Sequence, residues 1–159
     1  MERQGQAEGH YRLEQFCSID EVEVGASQSY VHTFTDDDLD LFVSKLVSDA
    51  PIHKDDEWTR KETGYGRRVV HGVLTAALVS RPLTTLLFKK LQVNGIIHLT
   101  SQKFLRPVYT GDTLTVTVTV AEILKDKNRI RCSTDIMNEK GELVMVGEFE
   151  EHIVPPARP

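Results

Sequence analysis

Between Gly72 and Leu91 the chain is apolar almost all the way round. Val73, Leu74, Ala76, Ala77, Leu78, Val79, Leu83, Leu86, Leu87 and Phe88 leave no continuous polar face. A helix of that kind is buried on most sides. No apolar run in the chain is long enough to span a bilayer, so the remaining residues have to wrap it. Pro82 lies inside the stretch, lacks an amide hydrogen, and predicts a kink or a division of the helix.

The wrapping is legible downstream. Thr113 to Ile123 alternates strictly, with Leu114, Val116, Val118 and Val120 on one face and threonines on the other, the pattern of a half-buried strand. Ile96 to Phe104, Arg129 to Met137 and Leu143 to Ile153 read as further strands, the last two joined by the Asn138-Glu139-Lys140-Gly141 hairpin loop. Upstream, Glu23 to Phe34 carries β-branched and aromatic residues and suits a strand. Thr35 followed by Asp36, Asp37 and Asp38 offers an N-cap and an acidic first turn. Leu39, Phe42, Val43 and Leu46 then recur at helical spacing, with the charged face read as solvated. Asp55 to Glu62 predicts another short helix, ended by the Gly64-Tyr65-Gly66 turn. One strand, a buried helix and a run of antiparallel strands define an α+β fold, most simply a twisted sheet wrapped around one long central helix.

At 159 residues, 40% of them hydrophobic, the chain suffices for one domain. The expected layout is a flexible N-terminal tail over 1–15, a single domain over 16–154 and a C-terminal tail over 155–159. A net charge of −5 with scattered Lys and Arg gives no basic footprint for nucleic acid and no polybasic patch for a membrane. Met1 to Gln15 is polar and holds no signal core. Cys17 and Cys132 have no metal spacing. A reduced, cytoplasmic protein is the expectation.

Five segments, in order, then narrow the fold. They are Phe34-Thr35-Asp36-Asp37-Asp38, Pro51-Ile52-His53, Gly64-Tyr65-Gly66, Val70-His71-Gly72-Val73-Leu74, and Phe104-Leu105-Arg106-Pro107-Val108 with Gly111-Asp112-Thr113-Leu114. Their order resembles the MaoC-like family of (R)-specific enoyl-CoA hydratases and dehydratases, and covers nearly the whole chain after residue 15. The resemblance implies a single hot dog domain. It implies a lyase acting on an enoyl or 3-hydroxyacyl thioester of coenzyme A or acyl-carrier protein, without cofactor or metal. It also implies a homodimer or higher homo-oligomer with the pocket between subunits.

That family's core motif runs Asp-x-Asn-Pro-Leu-His. Aligned on Pro51 and His53, this chain has Ser48 where the Asp belongs and Ala50 where the Asn belongs, with Asp49 between them. Hydration of an enoyl thioester needs a base for water, an acid for the α carbon and donors for the enolate-like oxygen. His53 suits the base, because imidazole titrates near neutrality. The Gly72 amide at a helix start suits the oxygen. Ser80 aligns with a serine that the family places near its catalytic pair. The carboxylate stays open between three readings: Asp49 substitutes for it, Ser48 orients a water while His53 works alone, as in thioester hydrolysis, or the site binds without turnover.

Pro51, Tyr65, His71, Val73 and Leu74 complete the expected substrate-binding set, with Ala77 and Leu78 along the acyl chain. His71 is read as a cap or packing residue, since seventeen residues separate it from His53 and fit no common zinc signature. Lys103 and Arg106 could meet coenzyme A phosphates at the pocket mouth, but read more simply as surface residues.

Overall fold

The computed structural model describes residues 18–46 and 50–154. The two expected tails, Cys17 and the candidate residues Ser48 and Asp49 lie outside the described residues.

Five antiparallel strands form one sheet: β1 (Ser27–Thr33), β2 (Asn94–Phe104), β3 (Thr113–Leu124), β4 (Arg129–Asn138) and β5 (Leu143–Val154). Their order across the sheet is β1-β3-β4-β5-β2. The alternation read in β3 decides its orientation. Leu114, Val116, Val118 and Val120 are wholly buried, and the β4 residues Ile130, Cys132 and Ile136 continue the same layer. Tyr30 of β1 sits opposite Val116, and Thr113 opposite Thr33, so β1 closes one edge. At the other edge, among the described residues, β2 pairs only with β5, from Asn94↔Val154 to Phe104↔Met145, with an irregularity between Ile97 and Leu99.

The apolar stretch lies against this sheet as expected. Ala76, Val79, Leu83, Leu86 and Leu87 join the strand residues in one core cluster. It is not one regular helix. Helix α3 (Gly72–Ala77) and helix α4 (Ser80–Thr84) are followed by a π-helical turn, Thr85–Lys90. Pro82 explains the interruption. It cannot donate to the Leu78 carbonyl, which accepts instead from the Arg81 amide at 3.4 Å. The break therefore falls one turn before the proline, at Leu78 and Val79. This is the α+β hot dog arrangement that the sequence implies, with the central helix divided.

Two further helices pack over the end where α3 begins. Helix α1 (Asp36–Leu46) starts at a reciprocal cap, in which Thr35 Oγ1 accepts from the Asp38 amide at 3.1 Å and Asp38 accepts from the Thr35 amide at 2.9 Å. Helix α2 (Asp56–Glu62) is capped by Asp55, whose carboxylate accepts from the Trp58 amide at 2.9 Å.

Candidate active site

Residues 50–53 and 68–72 come together at the start of α3. Pro51–His53 forms a single 3-10 turn, with Pro51 in its first position, where a missing amide hydrogen is tolerated. The Val69 amide donates to the Ile52 carbonyl at 3.0 Å. The Val69 carbonyl lies 2.6 Å from His53 Nδ1. A carbonyl only accepts, so Nδ1 carries the hydrogen and, in the neutral ring, Nε2 keeps the lone pair. His53 is half-buried.

His71 lies directly under it. The two imidazoles stack with centroids 3.5 Å apart, and Phe42 of α1 meets His71 edge-on at 5.6 Å. His71 occupies the cap position of α3, yet its side chain makes no capping hydrogen bond. As between cap and packing residue, it packs. The stack fixes the plane of the His53 ring.

Gly72, the first residue of α3, has an orphan amide by virtue of its position. A Cβ there would come within 3.2 Å of the Phe104 ring. The glycine therefore accommodates Phe104 of β2. Gly72 lines a cavity of about 340 Å³ together with Tyr65, Val69, Thr75, Phe104 and Arg106. Arg106 is held in that wall by the Leu143 carbonyl at 2.6 Å and by Glu142 at 3.7 Å.

The remaining expected residues are more dispersed. Pro51 is exposed, Leu74 packs against the core, and Val73 is 58% exposed. Ala77 is also exposed. Ser80 does not share the Gly72 cavity but stands in the wall of two others farther along the helix.

Arg68 is a residue the sequence reading passed over. Its buried side chain reaches Asp36 and Asp40 of α1, the latter at 2.7 Å, and its amide donates to Asp56 of α2 at 2.6 Å. Burial works against its charge, but the hydrogen bonds to Asp40 and Asp36 outweigh this and hold its pKa above the usual value. The acidic face of α1, expected to be only solvated, is thus partly a clamp. It ties both helices to the segment that carries Val69 and His71.

The family model for the MaoC like domain matches residues 25–140. The chain is 31% identical over 141 residues to an (R)-specific enoyl-CoA hydratase of Rhodospirillum rubrum, covering 88% of this chain and 92% of that protein. It is 33% identical over 130 residues to the mitochondrial 3-hydroxyacyl-[acyl-carrier-protein] dehydratase FERN of Solanum lycopersicum, covering 80% and 74%. Among solved structures, an unliganded R-hydratase from Pseudomonas aeruginosa superimposes with a TM-score of 0.75 at 31% identity, covering 89% of this chain and 96% of that one.

Proposed function

The chain belongs to the MaoC-like domain family, and on that premise we propose that it is a lyase that adds and removes water reversibly at an enoyl or 3-hydroxyacyl thioester, with His53 as base. The observation that carries this reading is the 2.6 Å bond from His53 Nδ1 to the Val69 carbonyl, which leaves Nε2 as a proton acceptor. Water gives a proton to Nε2 as its oxygen bonds to the β carbon. The electron pair of the double bond moves through the α carbon onto the thioester oxygen. The Gly72 amide, unpaired within its helix at the start of α3, receives that developing charge. The α carbon then takes a proton from the acid tested below, which recovers it from Nε2; this restores the carbonyl and the neutral imidazole and yields the 3-hydroxyacyl thioester. Coenzyme A and acyl-carrier protein are both admissible carriers, since the two relatives are named for one each.

A second copy of the chain belongs at β2. This strand is eleven residues long and open along one edge, and it exposes Ile96, Ile97, Leu99 and Phe104. A long apolar edge strand is a template for pairing. Phe104 also lines the Gly72 cavity, so pairing there would wall the site. Light scattering should give at least twice the 18.0 kDa of one chain; a monomer at working concentration would remove this part of the proposal. Among the described residues no helix is long and apolar enough to cross a membrane.

The source of the acid is tested with crotonyl-CoA. Loss of the enoyl absorbance supports the hydratase, release of free thiol the thioesterase, and binding without either a non-catalytic thioester protein. If Asp49 supplies the carboxylate, Asp49→Asn should lower hydration by at least about 10²-fold and Ser48→Asp should add nothing or do harm by like-charge repulsion. If Ser48 marks a lost acid, Ser48→Asp with Ala50→Asn should instead raise hydration by about 10²-fold. A parent that hydrates nothing, and gains nothing from either change, would sink the lyase reading in favour of another acyl-thioester function, with thiol release separating the thioesterase from the non-catalytic binder.

A further inference from the structure

On the β5 face that meets the central helix, Met145, Phe149 and Ile153 are buried in the core, and Glu151 falls in the same alternating register. A carboxyl group therefore occupies an apolar position, and Glu151 is only 3% exposed. Among the described residues its Oε1 has no hydrogen-bond partner, and no ion pair reaches the side chain. Its neighbour Glu150, on the opposite face, is held by Arg129 at 2.8 Å and Arg131 at 3.3 Å. The space for Glu151 is made by a glycine: a Cβ at Gly95 would lie 3.0 Å from Glu151 Oε2. Buried carboxyl groups are ordinarily satisfied, and one that is not calls for a partner from outside the fold.

The place for that partner is beside it. Glu151 lines a cavity of about 320 Å³ walled by Leu83, Leu87, Val93 and Ile97, with the hydroxyls of Ser80 and Thr84 on the helix side. Its lining mixes apolar side chains with polar groups, Asn94 among them, and a concave site with convergent polar groups suits a ligand that is itself partly polar. It lies along the same helical run that starts at Gly72, beyond the position proposed for the thioester. An unsubstituted alkyl chain entering it would leave Glu151 unpaired. An amine would match only the ionised carboxylate. A hydroxyl both donates and accepts, so it pairs with the carboxyl in either protonation state.

We propose that Glu151 makes this cavity selective for acyl chains that carry a hydroxyl group remote from the thioester. The proposal rests on the acyl-thioester reading above and assigns its substrate class.

The test uses the full-length protein and a matched series of straight-chain and ω-hydroxy acyl-CoAs of increasing length. Binding of the saturated forms is followed by calorimetry, and hydration of the trans-2-enoyl forms by absorbance. At the length that spans the cavity, the ω-hydroxy form should bind and react about 10- to 10²-fold better than the plain form, which leaves the buried carboxyl unpaired. Glu151→Gln, which still donates and accepts, should keep the preference. Glu151→Leu should abolish or reverse it, with thermal unfolding used to confirm that both variants fold. Equal affinity for the two forms at every length overturns the proposal, as does a preference that survives Glu151→Leu. Tighter binding of the ω-amino analogue, or no binding of any acyl-CoA, also overturns it. A hydroxyl preference in binding without any hydration would leave this assignment standing and remove only the hydratase reading.

Discussion

Replacing His53 by alanine is expected to lower the hydration rate by roughly 10²- to 10⁴-fold, the range for a positioned acid–base group. The fold should persist, because His53 sits in a single short turn and outside the core cluster. Alanine removes both the base and the bond to the Val69 carbonyl, so a second variant separates chemistry from placement. In His53→Asn the amide nitrogen can still donate to that carbonyl, while nothing remains at the Nε2 position to accept a proton. Both variants should be equally inactive with substrate affinity near that of the parent. If His53→Asn retained full turnover, Nε2 could not be the base. If it lost binding as well as rate, the ring would be holding substrate rather than moving a proton.

The reason one bond carries so much of the argument also explains what was legible in advance. Strand alternation and helical spacing are local signals. Leu114 to Val120 and Leu39 to Leu46 could therefore be read within a few residues of their observed limits. The resemblance placed His53 and Gly72 in one neighbourhood; in the fold His53 bonds to Val69 and stacks on His71, the residue before Gly72. What the sequence did not show is how His53 is held. Its partner is a backbone carbonyl sixteen residues away, and backbone atoms carry no residue identity to read. Arg68 was invisible for a related reason. Capping and solvent sufficed to explain Asp36, Asp40 and Asp56, and only the fold shows that one guanidinium reaches all three. Glu151 differs from both. Its register with Phe149 and Ile153 was readable, and a charged residue on the buried parity of a strand is a signal in itself.

That buried carboxyl has a consequence for stability that can be measured without any substrate. Burial raises the pKa of Glu151 from the ordinary 4.5 to about 7. Below pH 4.5 the group is protonated in both the folded and unfolded chain and contributes no pH dependence. Between 4.5 and about 7 the unfolded chain releases this proton while the folded protein keeps it, so stability falls as pH rises. Above about 7 both states are ionised and the penalty is constant, on the order of 3 kcal/mol for a shift of this size. The surrounding groups do not confuse the window. Gly95, Ile97 and Leu87 do not titrate, and the Cys132 thiol is pushed up to about 12, first by its own burial and then by Glu151. Glu151→Gln removes the titration and leaves a polar group of the same shape. The difference in melting temperature between this variant and the parent should therefore be small and flat below pH 4.5. It should shift in favour of the variant by roughly 6–12 °C by pH 8, at about 2–4 °C per kcal/mol for a chain of this size. A difference that stays constant across that range would mean that Glu151 is ionised in the folded protein with a partner of its own, and the cavity beside it would then need none.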